Sequence, residues 1–173
     1  MDIKKTATGT EPLTATEVKN YLKIDFTEDD TMIGKLITGC REMAEQFTGR
    51  SFIESEIEYF DSDNYEKEIR LPYPDHNTIT AVTINGSDVL SGCQITGNTE
   101  KIVVLPFSYQ NIIEDEAGVK ITYTTTGNCP DGVKLAILKA IGDIYEQRGN
   151  TFEGSVSRLS ENSIAMLTRF AKL

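Results

Sequence analysis

Tryptophan is absent and histidine occurs once, at His76. A lone histidine leaves no pair from which a zinc site or a histidine-based acid–base couple is usually built. Cysteine is scarce too: Cys40, Cys93 and Cys129 are odd in number, widely spaced and without a Cys-x-x-Cys pair, so no disulfide framework or zinc ribbon is expected. Reduced, buried thiols in a protein made in a cytoplasm fit that usage better. No stretch approaches the roughly 20 apolar residues that cross a bilayer. The opening MDIKKTATGTEPLTATEV carries no apolar run, so neither a secretory signal nor a membrane span is expected. Positive charge is in deficit, with 17 Lys and Arg against 27 Asp and Glu and a net charge of -10. Such a chain repels a phosphate backbone, which argues against a module that grips duplex DNA.

What remains is a chain of 173 residues, 39% hydrophobic, long enough to bury one core without staples. Helix starts are legible. Thr14 and Glu17 have the spacing of a capping box, predicting a helix over about 14–22. Thr27, followed by Glu28, Asp29 and Asp30, suits the positive end of a second helix over about 28–48. In that stretch Ile33, Leu36, Ile37, Cys40, Met43, Ala44 and Phe47 form one apolar stripe, and Gly49 is placed to cap the end in the left-handed region. From Ser51 the period changes to two: Ile53, Ser55, Ile57 and Tyr59 alternate with Glu54, Glu56 and Glu58. Further strands are predicted at 68–71, 79–84, 102–105 and 119–124, with Asn85-Gly86 as the clearest hairpin turn. A last long helix over about 131–147 carries Val133, Ala136, Ile137, Ala140, Ile141, Ile144 and Tyr145 on one side. Gly142 inside it costs about 1 kcal/mol relative to alanine, which implies a close approach by a neighbouring element.

The reading is an α+β protein: N-terminal helices and a long C-terminal helix packed with an inserted antiparallel β region over about 51–126. Residues 1–150 form a single domain, and 151–173 a small, polar joint followed by a C-terminal arm.

The search for catalytic chemistry comes back empty. His76 lies in Pro74-Asp75-His76-Asn77, where polar residues ordinarily serve a turn. Asp61-Ser62-Asp63-Asn64 matches the start of a calcium loop, but Glu66 stands where glycine is required and Pro72 where the bidentate glutamate belongs. The acidic run Glu114-Asp115-Glu116 reads as a solvated face, since neighbours in sequence do not converge on a substrate by themselves. No phosphate-cradling glycine loop, nucleophile elbow or dinucleotide fingerprint occurs. No catalytic residue, metal ligand or cofactor is therefore expected, and a small hydrolase working through the acidic loops is the outlying alternative.

Charge is unevenly spread. Residues 155–173 carry Arg158, Arg169 and Lys172 against Glu161 alone, while the rest of the chain is acidic. Ile164 and Leu167 share a face in this basic stretch. The segment suits either an arm that orders on an acidic partner or a last helix folded back on its own domain.

Four stretches in order resemble the phage head-tail connector (adaptor) family. They are Leu13-Thr14 with Glu17, Lys19, Leu22, Ile24 and Asp25; Ala44-Glu45-Gln46-Phe47-Thr48-Gly49-Arg50; Leu71-Pro72-Tyr73-Pro74 with Ile79 and Val82; and Ile121-Thr122-Tyr123, Gly127, Pro130 with the helix bearing Ala136, Ile137, Tyr145, Glu146 and Arg148. The aromatic-threonine-glycine-arginine helix end is the most specific of these. At the C-terminus the chain departs from the family, with Met166-Leu167-Thr168-Arg169-Phe170 in place of a leucine-rich close ending in proline, tyrosine and arginine.

The resemblance implies a structural virion protein in the neck, between head and tail. It implies a ring homo-oligomer of twelve copies to match the portal protein, touching head-closure and tail proteins and passing DNA without specific binding. Arg158, Ile164, Leu167, Arg169, Phe170 and Lys172 are the candidate portal-docking arm. Glu28, Asp29, Asp30, Glu114, Asp115 and Glu116 are candidate acidic channel or subunit-interface faces. A head-closure or tail-terminator protein is the alternative within the same class.

Overall fold

The computed structural model describes residues 1–61, 68–73, 76–98, 100–106, 118–147 and 159–171. They group into two compact units. A β unit takes Met1–Gly9 and Ile53–Asn128, and a helical unit takes Thr10–Phe52 and Cys129–Leu173. The last helix shares its apolar cluster with the other helices of its unit.

The helical unit contains α1 (Ala15–Leu22), α2 (Asp30–Thr48), α3 (Asp131–Gln147) and α4 (Glu161–Thr168). At α1 the capping box forms in full. The Glu17 amide donates to Thr14 Oγ1 at 3.2 Å, and the Thr14 amide donates to Glu17 Oε2 at 2.7 Å. Gly49 closes α2 with φ 66°, its amide donating to the Glu45 carbonyl at 2.9 Å. The start of α2 falls later than the spacing of Thr27 predicts: Asp29 occupies the cap position, with no side-chain cap bond. Val18, Ile33, Ile37, Cys40, Ala44, Val133, Ala136, Ile137, Ala140, Ile141 and Leu167 make the core. Burial of each large aliphatic side chain there is worth about 1.5–3 kcal/mol before entropy is charged against it. Gly142 marks the close approach its position implied: a Cβ there would lie 3.3 Å from Tyr21 Cε1 and 3.7 Å from Leu22 Cδ2 of α1.

The β unit holds two antiparallel sheets. The larger runs β1 (Asp2–Ala7), β2 (Ser55–Asp61), β8 (Val119–Thr125), β4 (His76–Ile84) and β5 (Ser87–Asp88) in spatial order. The smaller runs β3 (Glu68–Arg70), β7 (Ile102–Val104) and β6 (Gln94–Thr96). Strict alternation makes β2 and β8 central: Ile57 and Tyr59 face inward from one, Ile121 and Tyr123 from the other, with Ile57 opposite Tyr123 and Tyr59 opposite Ile121. Ile69, Leu71, Val103 and Leu105 of the smaller sheet and its flanks join them in one apolar cluster. Buried tyrosine hydroxyls find acceptors, as they must in such surroundings: Tyr123 donates to the Pro72 carbonyl at 2.7 Å and Tyr59 to Asp61 Oδ2 at 3.1 Å. The Asn85-Gly86 hairpin is present, with φ 52° and 76°, the left-handed pair a two-residue turn requires. His76 opens β4 opposite Thr125 instead of sitting in a turn.

Strand β1 was not foreseen. Ile3 is its one large aliphatic residue, in company with Asp2, Lys4, Lys5, Thr6 and Ala7, and as an outer strand it is exposed almost throughout. The two-residue alternation that betrays half-buried strands is therefore missing from it.

Candidate assembly surfaces

Among the described residues no group of His, Cys, Asp and Glu side chains is arranged to hold a metal ion. The thiols sit where ionisation is costly. Burial pushes Cys40 up to about 12 and Cys129 up to about 11, while burial followed by the Asp88 charge raises Cys93. A thiol that stays protonated is a poor nucleophile.

The acidic residues at the start of α2 are engaged inside the helical unit. Tyr145 Oη donates to Asp29 Oδ2 at 2.6 Å, and Lys19 Nζ donates to Asp30 Oδ1 at 2.7 Å. Glu28 accepts from the Thr27 amide at 3.0 Å and remains exposed. Of the trio, Glu28 and the half-exposed Asp30 thus present carboxylate to solvent, whereas Asp29 ties the loop before α2 to α3. Glu114, Asp115 and Glu116 lie outside the described residues.

The C-terminal residues are split in the same way. Leu167 is fully buried in the helical core, so in this state its side chain is not available to a partner. Ser163 is buried beside it, its hydroxyl donating to the Ala136 carbonyl at 3.3 Å. Ile164 and Phe170 are half-buried, and the Phe170 carbonyl accepts from Arg50 Nε at 2.9 Å. Arg169 is exposed, its guanidinium 4.9 Å from the centre of the Phe170 ring. Arg158 and Lys172 lie outside the described residues. Asp143 of α3 takes a bond from Ser160, the cap residue of α4. Burial works to raise its carboxyl, but bonds from Ser160 and Lys139 prevail and hold it below the usual range.

Sequence reasoning missed the helical unit's most polar feature. Arg41, 2% exposed, gives Nη1 to Glu45 Oε2 at 2.6 Å and Nε to Glu11 Oε2 at 2.8 Å. Thr38 Oγ1 donates to the other Glu11 oxygen at 2.8 Å, and Glu45 Oε1 accepts the Phe52 amide at 2.7 Å. Burial alone would lower the Arg41 pKa, but the Glu11 bond and the Glu45, Glu11 and Glu42 charges raise it, so the cation is permanent. The Arg41–Glu45 spacing of four was visible in the sequence. On an otherwise amphipathic helix it passes for one more surface ion pair.

The β unit has exposed features of its own. A shallow cavity of about 320 Å³ lies beside β1, lined by Asp2, Ile3, Lys4, Glu58, Phe60 and Lys120. Lys120 Nζ reaches Glu58 Oε2 at 3.2 Å across its floor. Ile95 on β6 is 44% exposed.

Comparison with known proteins sets these surfaces in context. The fold matches a chain in the neck of an empty gene transfer agent particle computed with C6 symmetry, at TM-score 0.72 and 16% identity, covering 100% of this chain and 96% of the other. It matches a chain in the virion of the native gene transfer agent at TM-score 0.69 and 14% identity, with the same coverage. A chain in the neck of the native particle computed with C12 symmetry follows at TM-score 0.65 and 16% identity, again with that coverage. No curated protein sequence matches. The family model described as head completion protein spans residues 11–158, most of the chain, and this chain belongs to the head completion protein family.

Proposed function

We propose that the chain is the connector, or adaptor, between head and tail. Copies form a ring under the portal, twelve to match it, that lengthens the DNA channel and offers the tail its attachment site. The observation that carries this reading is the family match over residues 11–158. The likeness of fold to neck chains computed with C6 and C12 symmetry supports a ring. The net charge of -10 supports a channel role, since an acidic lining repels phosphate at short range and lets DNA pass without sticking. Glu28 and Asp30, with Glu114, Asp115 and Glu116, are the residues for that lining or for the contact between copies.

In this reading the portal contact falls to Arg158, Ile164, Arg169, Phe170 and Lys172, and Leu167 anchors α4 to its own unit. The role is structural and calls on no cofactor. A head-closure role is the second reading, favoured by the family's description as head completion.

The test is electron microscopy of DNA-filled, tailless heads lacking this protein, with and without the purified chain added. New ring density directly on the portal supports the connector. Density that appears only after a separate adaptor has bound assigns the chain to head closure, and heads that join tails without it overturn both.

A further inference from the structure

Resting on that reading, we infer that neighbouring copies in the ring join through two helix faces. The outer stripe of α2 on one copy receives Leu135 of α3 from the next, with the two helices parallel.

On α2 the mark is a glycine. Glycine weakens a helix interior, a cost that close approach by a neighbouring element offsets. At Gly142 of α3, Tyr21 and Leu22 make that approach. Gly39, in the middle of α2, has no counterpart: a Cβ there would meet no described atom within 4 Å. Around it Met32, Leu36 and Met43 are half-buried, and Phe47 is 39% exposed. With Gly39 these residues recur at spacings of three and four, so they form a second apolar stripe beside the core stripe of Ile33, Ile37, Cys40 and Ala44. Gly34, also open, lacks such a border, since Asp30, Thr31 and Thr38 are three of its four helical neighbours.

On α3 the mark is a leucine. Leu135 is 51% exposed, more than any other described large apolar residue of the helical unit. It stands about 200° round the helix from Ile137, which is buried in the core. A recess on α2 and a projecting side chain on α3 are two different surfaces of one copy, as the head-to-tail contacts of a ring require.

Charge sets the direction of the pairing. On α2, Glu42 lies about one turn beyond Gly39, its side chain 58% exposed, with Met43 next to it. On α3, Lys139 lies about one turn beyond Leu135, its side chain 40% exposed, with Leu138 next to it. Set parallel with Leu135 over Gly39, the helices bring Glu42 to Lys139 on one flank and Met43 to Leu138 on the other. Run antiparallel, they would set Glu42 against Asp131, a like-charge contact. Lys139 keeps its bond to Asp143 at 2.9 Å and Glu42 its longer one to Arg41 at 3.5 Å, and each charged group has hydrogen-bonding capacity left for the new contact. A turn further on, Phe47 comes to Tyr21, the 44% exposed ring beside Gly142.

The experiment adds full-length chain to tailless heads that lack it, following ring filling by electron microscopy and folding by the chemical unfolding midpoint. Gly39→Gln puts a good helix former in the recess and fills it. It is expected to raise the unfolding midpoint and yet to need about tenfold more protein to fill the ring. Glu42→Lys and Lys139→Glu should each weaken filling by a similar factor. Together they should restore it, even though the bond to Asp143 stays lost in the pair. Normal filling by Gly39→Gln or by both charge variants, or a lowered midpoint for Gly39→Gln, overturns the inference and leaves the connector reading standing. Weak filling by Gly39→Gln without rescue in the charge-reversed pair means that α2 meets some other surface, and the inference as stated is wrong. No ring from the parent chain overturns both.

Discussion

The two units solve the problem of a stable interior differently. The β unit is specified by pattern: alternating side chains from β2 and β8 meet those of the smaller sheet, and its buried hydroxyls are satisfied locally. The helical unit adds a buried cation shared by two carboxylates that reach Thr38 and the Phe52 amide. An apolar layer tolerates substitution that conserves volume. A buried ion network fails once one member is missing, since the remaining charge stays desolvated. The helical unit should therefore be the more brittle, and its brittleness should trace to one residue.

Arg41→Met gives the largest expected effect. It leaves Glu45 and part of Glu11 without their cation and should cost about 3–5 kcal/mol by chemical denaturation. Adding Glu45→Met should recover much of that loss, though not the bond from the Phe52 amide. Equal losses in the single and double variants would show that the carboxylate is hydrated after all. Next comes Leu167→Ala, which removes a fully buried side chain from the layer joining α4 to α3 and should cost about 2–5 kcal/mol. A loss below about 0.5 kcal/mol, the range of surface substitutions, would mean that α4 leaves its unit readily and acts as a detachable arm. Tyr123→Phe in the β unit is the smallest change. Deleting a hydroxyl that meets one carbonyl should cost about 1 kcal/mol, and a cost rivalling Arg41→Met would erase the contrast between the units.

Much of the scaffold was legible because its signals are local. Thr14 with Glu17, Gly49 after α2, and Asn85-Gly86 each place a backbone conformation by their own chemistry, and the structure has all three. The Ser55 to Tyr59 alternation likewise needs only one buried face to be visible. What escaped depends on distant partners. β1 is a strand because β2 lies beside it, not because its residues favour one. Arg41 is buried because Glu11 arrives from a segment 30 residues earlier. The candidate surfaces were only partly readable for the same reason. Asp29 and Asp30 look like a free acidic cluster until Tyr145 and Lys19 are placed beside them. Nothing in the lettering of Leu167 distinguishes a core anchor from a docking residue.

The order of the chain also has a consequence for synthesis. The β unit has all its described strands once Thr125 has left the ribosome, whereas the helical unit is split between residues 10–52 and 129–173. α1 and α2 must wait, with the stripe from Ile33 to Ala44 uncovered, until α3 and then α4 emerge. The half of the protein built around a buried charge is thus the half completed last, and a nascent chain exposes its stickiest helical surface for the whole time the β unit is being made.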